Sequence, residues 1–331
     1  MKLTVGLGSI DEYIPYIKAG ADEFFCGYVP YDWMKHYGLT TPLNRREVLY
    51  YNVQIGSESE LTILRHMMEK YHKPVTITLN ALAYHPSQYP VLAEYMQDCK
   101  KMGFDQFIIA DHALLVWLYE QGLSREFTIH VSGELGEVNR ISAAECQKLG
   151  ADRIILHRKV SLSDMKSIIT ACPGEYEAFL MNEMCHFHGG YCNSLHCDEL
   201  THMCLLPYQL GRLDPNVSDL PSLCDPGSES GRGGRLAFQP ADDRTAQNLY
   251  IPGTSGCGLC ALWKLQEAGV SYLKVVSRGG YTSDTLSDIR AARGALELLE
   301  AADSEENFRE KLRAMIFPNG CSLNCYYPKE T

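Results

Sequence analysis

Apolar residues along this chain come in short runs, each followed by a turn and then by a stretch whose apolar positions repeat with helical spacing and end at glycine. Such runs occupy residues 3–7, 23–27, 75–80, 107–110, 127–131, 153–157, 176–181 and 272–276. The amphipathic stretches between them close with Lys101-Met102-Gly103, Lys148-Leu149-Gly150 and Glu267-Ala268-Gly269, and the first runs through Tyr16 to Gly20. Apolar strands alternating with helices predict an α/β fold with parallel pairing, because strands covered on both faces lose the polar side of an alternating pattern.

Eight such units favour a closed (β/α)8 TIM-like barrel; an open doubly wound sheet is the alternative, since closure leaves no mark on a sequence. At 331 residues the chain is long enough for one barrel with additions. The rhythm breaks between the seventh and eighth runs, where residues 205–256 are rich in Pro, Gly, Ser and Asp, including Asp225-Pro226-Gly227-Ser228 and Gly231-Arg232-Gly233-Gly234-Arg235. A loop of this length is functional or a mobile surface insertion. The expected organisation is a barrel over residues 1–300 that includes a cysteine-rich insertion at 185–260, and a C-terminal helix with a Cys-x3-Cys tail at 301–331.

Charge and composition narrow the partners. A formal net charge of -11 sets a nucleic-acid backbone against net repulsion, so nucleic acid is disfavoured and a small molecule or a protein is the expected partner. The chain lacks an apolar run of about 18 residues, and its start passes straight into a strand-like run rather than a signal peptide. A cytoplasmic protein, away from membranes, is expected.

Thirteen cysteines in such a chain point to metal or redox chemistry rather than to a disulfide framework. Nine of them lie from Cys185 onward. After the seventh run come Cys185, Cys192, Cys197 and Cys204, and at the far end of the insertion stands Cys257-Gly258-Leu259-Cys260. Thiolates hold both iron–sulfur clusters and structural zinc, and His186, His188, His196 and His202 are potential zinc ligands, so spacing leaves both metals open. The tail Cys321-Ser322-Leu323-Asn324-Cys325 is either frayed or completes a metal site with Cys260, in which case there are two sites.

These residues resemble the collagenase-like peptidase family U32, whose members carry a strand-end Cys, a Gly-x-Cys after it, further cysteines, and a Cys opening the helix before a Lys-containing last strand. Cys185, Gly190-Tyr191-Cys192, Cys204 and Cys257 fall in that order, and Glu267-Ala268-Gly269-Val270 with Leu273-Lys274-Val275-Val276-Ser277-Arg278 is similar to the family's ending. Ala19-Gly20-Ala21-Asp22-Glu23, Thr78-Leu79-Asn80 and Ala110-Asp111 add matches upstream. The resemblance implies a barrel and a four-iron four-sulfur (4Fe-4S) cluster on Cys185, Cys192, Cys204 and Cys257, with Cys260 in reserve. It also implies oxygen-independent hydroxylation with prephenate as apparent oxygen donor, a chemistry other members apply to RNA or a quinone precursor. Three departures bear on the substrate: Asn182-Glu183-Met184-Cys185 replaces His-Gly-Ala-x-Cys, one cysteine stands near Cys204 where the family has a pair, and the tail adds Cys321 and Cys325.

Polar residues at or beyond the strand ends mark a barrel-mouth site, where barrels place their chemistry. They are Asn80, Asp111, His130, Glu134, Arg158, Glu183 and Arg278. Asn80, Asp111 and Arg278 are candidates for substrate binding, and His130, Glu134, Arg158 and Glu183 for catalysis, with His130 or Glu134 transferring protons. Arg158 and Arg278 suit a dicarboxylate, because a guanidinium grips carboxylates in a fork. The leading function is an iron–sulfur oxidoreductase that hydroxylates a small aromatic or carboxylated substrate. A metal-dependent peptidase or hydrolase is the second class, unsupported by any HExxH or GxSxG motif. A non-catalytic cluster-bearing subunit of a hydroxylase pair is the third; a homo-oligomer or a paralogous partner subunit is compatible with each.

Overall fold

The computed structural model describes residues 1–37, 42–45, 53–136, 138–185 and 250–328. Eight strands among them close into a barrel in chain order: β1 (Lys2–Leu7), β2 (Glu23–Cys26), β3 (Val75–Leu79), β4 (Gln106–Ile109), β5 (Thr128–Val131), β6 (Ala151–Ile155), β7 (Glu175–Met181) and β8 (Tyr272–Val275). Every neighbouring pair is parallel, and the closing pair sets Thr4 of β1 opposite Lys274 of β8. The open-sheet alternative is thereby excluded. Each expected run coincides with an observed strand to within two residues at either end.

The helices are α1 (Tyr13–Ala19), α2 (Tyr31–Tyr37), α3 (Glu58–Tyr71), α4 (Tyr89–Lys101), α5 (His112–Glu120), α6 (Arg140–Lys148), α7 (Leu162–Ala171), α8 (Leu262–Ala268), α9 (Thr282–Glu300) and α10 (Glu305–Ile316). Their starts are set by short polar side chains that satisfy unpaired backbone donors. Ser57, Asn139, Ser161 and Ser304 each accept a first-turn N–H of α3, α6, α7 and α10. At the end of α1, Gly20 takes φ 116, where a Cβ would stand 2.9 Å from the Arg293 side chain of α9. Arg293 Nε donates to Gly20 O at 3.1 Å, which ties the helix after the last strand to the turn between β1 and β2.

Side chains alternate across each strand, which separates two kinds of interior. Leu3, Val5, Leu7, Phe24, Ile77 and Leu79 are buried in the core against the helices. The opposite set fills the barrel and includes charge: Arg153 binds Glu23 and lies 3.2 Å from Glu177, which accepts from Lys274 Nζ at 2.7 Å. Thr4 Oγ1 donates to Glu23 at 2.7 Å, and the Arg153 guanidinium lies over the Tyr272 ring. Barrels more often fill this space with branched apolar residues. Here two buried cations and two buried carboxylates neutralise one another.

Two features position the mouth. The edges of the insertion meet as a short ladder, in which Asn182 N donates to Gly256 O and Met184 N to Ser255 O, both at 2.8 Å, and Met181 bridges to Cys257. Residues 186–249, the bulk of the insertion, lie outside the described residues. The segment after α10 returns to this ladder, where Cys257 also bridges to Cys325. Among the described residues, no helix is long and apolar enough to cross a membrane.

Candidate functional site

At the ends of the strands a cavity of about 50 Å³ opens, lined by side chains from most of the barrel. Cations dominate its walls: Arg45, Arg158, Lys274 and Arg278 all contribute, against the carboxylates of Glu134 and Glu183. Arg158 Nη1 donates to Glu134 Oε1 at 2.6 Å, and Arg45 approaches the other carboxylate oxygen at 3.8 Å. Arg158 also stacks on Phe179, its guanidinium carbon 3.9 Å from the ring centroid. Its Nε is buried and has no hydrogen-bond partner among the described residues. That is a buried donor on a residue that lines a polar cavity, and such groups are costly to leave unpaired.

Electrostatics fix the charge states. Burial opposes the charge of Arg158, but Glu134 outweighs it and the pKa is raised. Burial pushes Arg278 down to about 10, still a cation at neutral pH, and its Nη1 donates to Thr78 Oγ1 at 3.3 Å. For Lys274, burial outweighs Glu177 and lowers the ammonium's pKa. Burial alone would raise Glu177; Lys274 and Arg153 together reverse that and hold it lowered.

Five of the seven strand-end residues singled out from sequence reach this cavity: Asn80, Glu134, Arg158, Glu183 and Arg278. Glu183 gets there through an unusual backbone, since Asn182 and Glu183 both take left-handed conformations with φ 66 and 51. Asp111 does not line it. Its carboxylate accepts from Ala113 N at 2.9 Å and Leu114 N at 3.3 Å as the N-cap of α5, and from Tyr84 N at 2.9 Å, so the residue is spent on local structure. His130 sits inside the barrel below the cavity, where burial, then Arg153 and Lys274, push its pKa well below the usual value and keep it neutral. Arg45 and Lys274 were missed as site residues. Lys274 carried a signal, a lysine at an alternate position of an apolar strand; Arg45 lies between runs and carried none.

The thiols gather beside this mouth. Cys185 follows β7 and lies within electrostatic range of Arg158 and Tyr326, and the carbonyl of Cys257 accepts from Tyr326 N at 2.9 Å. Cys257, Cys260, Cys321 and Cys325 interact electrostatically with one another. Burial, more than these neighbours, pushes the Cys257 thiol up to about 12. Among the described residues no three His, Cys, Asp or Glu side chains already stand in metal-binding geometry. Cys192 and Cys204 lie outside the described residues. An all-sulfur donor set nonetheless fits an iron–sulfur cluster or zinc and no hard cation.

The family model of peptidase family U32 matches residues 8–329. The chain belongs to this family. Within U32, the chain is 24% identical over 206 residues to the tRNA hydroxylation protein P of Escherichia coli (strain K12), which is 62% of this chain and 39% of that relative. The protein of the same name from Helicobacter pylori is 28% identical over 141 residues, 41% of this chain and 33% of its own length. The chain therefore matches well under half the length of these curated relatives. The solved structure of the U32 peptidase Mk0906 aligns at 15% identity over 55% of this chain and 69% of that one, with a TM-score of 0.40.

Proposed function

We propose that this U32 chain is an iron–sulfur-dependent hydroxylating enzyme whose barrel mouth binds a small carboxylated, prephenate-like molecule. The observation that carries the reading is the buried Nε of Arg158, without a hydrogen-bond partner among the described residues, on the wall of a cavity that also presents Arg45, Lys274 and Arg278. Four cations line the cavity against Glu134 and Glu183, with Lys274 also paired to Glu177 below it, and this excess of cations favours an anion; a guanidinium recognises a carboxylate by direction as well as charge. The names of the curated relatives supply the reaction class, hydroxylation.

In this reading Arg158 donates from Nε to one substrate carboxylate, and Arg278 and Lys274 face a second from the β8 side. A volume of about 50 Å³ holds one or two waters, so substrate entry moves Arg158 or Arg45 away from Glu134. Glu134, relieved of a cation, becomes the proton acceptor nearest the bound ligand. A 4Fe-4S cluster, carried over by resemblance onto Cys185, Cys192, Cys204 and Cys257, supplies electron transfer or Lewis acidity when bound.

The test is anaerobic purification with iron, acid-labile sulfide and visible absorption, for wild type and a Cys185→Ala, Cys192→Ala double variant, followed by prephenate titration. Iron, sulfide and thiolate-to-iron absorption that vanish in the variant, with prephenate binding that weakens in Arg158→Ala, are expected. An iron-free wild type, or prephenate affinity indifferent to Arg158, overturns the reading. The relatives' names favour a second one, in which transfer RNA is the substrate; its electrophoretic retardation by this chain at moderate salt would select it despite the net charge of -11.

A further inference from the structure

Lys274 is where the anion cavity meets the charged layer inside the barrel. It stands opposite Thr4 of β1 and Phe179 of β7, and its side chain lines the cavity while Nζ donates to Glu177 Oε1 at 2.7 Å. Its Nζ also lies 3.8 Å from the centroid of the Phe25 ring. Phe25, Ile108, Ile155, Phe179 and Val276 give this part of the cavity an apolar wall. Gly6 of β1 keeps the neighbouring position empty of a side chain: a Cβ there would stand 3.0 Å from the Phe25 ring and 3.1 Å from Arg278 Cγ. Among the described residues no other lysine is buried.

Such a lysine offers more than charge. Glu177 neutralises much of its charge at hydrogen-bond distance, so Arg278 is the stronger holder of a carboxylate on the β8 side. What Lys274 adds is a primary amine at the end of a barrel strand, where barrels place their reacting groups. Desolvation activates a lysine as a nucleophile toward carbonyl carbon, and burial lowers the Lys274 pKa in spite of Glu177. The carboxylate behind it is the group that moves protons while an amine adds to a carbonyl and water departs. Arg153 Nη1, 3.2 Å from Glu177 Oε2, fixes that carboxylate in place.

We propose that Lys274 is a catalytic residue that forms a covalent iminium (Schiff base) with the ketone of a 2-oxo acid bound in the mouth, with Glu177 as its proton carrier. The proposal deepens the reading of the mouth as a site for a carboxylated, prephenate-like molecule and rests on it. There Lys274 and Arg278 face the second carboxylate, and in a 2-oxo acid, prephenate included, the carbon beside that carboxylate is a ketone. Glu177 takes a proton from the ammonium, and the free amine adds to the ketone carbon, forming the C–N bond as the oxygen takes a proton from nitrogen. Glu177 then returns its proton to that oxygen, the C–O bond breaks and water leaves. In sum, an ammonium and a ketone become a protonated iminium and water, with no change of oxidation state. The positive charge stays beside Glu177, so the neutrality of the buried layer survives the step.

The experiment incubates the full chain, purified anaerobically, with pyruvate, prephenate or succinate in the presence of cyanoborohydride, which reduces an iminium and spares a ketone. Intact mass and peptide mapping then locate any adduct, and calorimetry measures prephenate binding in parallel. Expected is a reduced adduct with pyruvate and with prephenate, confined to the peptide that carries Lys274, none with succinate, and loss of the adduct in Lys274→Arg, which keeps the cation beside Glu177. Prephenate that binds without being trapped overturns the lysine and leaves the binding reading standing. Trapping of pyruvate at Lys274 without prephenate binding refutes the prephenate reading and keeps the lysine. Labelling of exposed lysines to the same extent as Lys274, or an adduct that persists in Lys274→Arg, sinks the proposal, and so does the absence of both binding and adduct. Should that variant fail to fold, the peptide map of the wild type decides alone.

Discussion

Arg158 reaches from the end of β6 to Glu134 beyond β5, donating Nη1 to Oε1 at 2.6 Å, with both side chains nearly removed from water. Neither charge is free to leave alone, because an uncompensated buried ion is far more costly than the pair. Yet Arg158 Nε has no hydrogen-bond partner among the described residues, so among them the pair is incomplete on the cation's side. In the proposed function a substrate carboxylate would complete it.

Arg158→Lys therefore separates charge from geometry. Lysine retains the cation beside Glu134 but offers no planar fork and no stacking surface for Phe179. Prephenate affinity should fall by about tenfold or more, matching the loss of one charge-assisted hydrogen bond of ~1.5–3 kcal/mol. Calorimetric titration gives the number, with succinate as a dicarboxylate lacking the ring for comparison. Equal affinities in wild type and variant would remove Arg158 from the binding site.

Asp288 of α9 ties the two ends of the insertion together and should give the fold a pH signature. It accepts from Asn182 Nδ2 at 2.6 Å, Tyr250 Oη at 2.8 Å and Gly253 N at 2.9 Å, yet burial outweighs these donors and pushes its pKa up to about 6. A carboxyl raised in the folded state holds its proton there while the unfolded chain has lost it. Its contribution is thus fully present below its ordinary value of 3.8 and is lost as pH rises through about 6. Two pKa units correspond to ~3 kcal/mol. Denaturation of wild type and Asp288→Asn at several pH values should show the wild type losing up to that amount relative to the variant between pH 4 and 6; parallel curves would refute it.

The eight strands were legible because each is an apolar run followed by a turn, most of them after a helix-ending glycine; their number favoured closure, and only the pairing of β1 with β8 decides it against an open sheet. Asp111 looked like a strand-end ligand because a residue that caps a helix occupies the same place in the pattern as one that faces a substrate. His130 lies one residue inside β5, and only the alternation of the strand, counted in register, sends it into the barrel rather than to the mouth. The pairing of Cys257 with Cys325 was out of reach in sequence, since it joins residues 68 positions apart through a tail that carries no apolar run of strand length.

The charged layer inside the barrel yields a third expectation. Glu177 is fully buried and accepts from Lys274, with Arg153 on its other oxygen. Glu177→Leu takes a carboxylate from two buried cations, leaving Lys274 without its ion pair and Arg153 with one partner fewer, and should cost about 3–5 kcal/mol. Adding Lys274→Met removes one of them, and Arg153 keeps Glu23 and Glu175 as partners. Urea unfolding should therefore find the double variant more stable than Glu177→Leu alone. If the losses simply add, the two residues do not act as a pair.

The tail offers the simplest perturbation. Tyr327 is buried, and its hydroxyl donates at 2.8 Å to the carbonyl of Phe179 in β7, whose ring carries Arg158. Tyr327→Phe keeps the ring and its packing but leaves that carbonyl without this donor, at a cost of about 1 kcal/mol. The loss falls where the tail meets the barrel, so it should appear as faster proteolysis after α10 and faster amide exchange at Tyr326, whose N–H bonds Cys257 O at 2.9 Å. Exchange elsewhere in the barrel should stay as in wild type. A uniform rise across all strands would mean instead that the tail and the barrel unfold together as one cooperative unit.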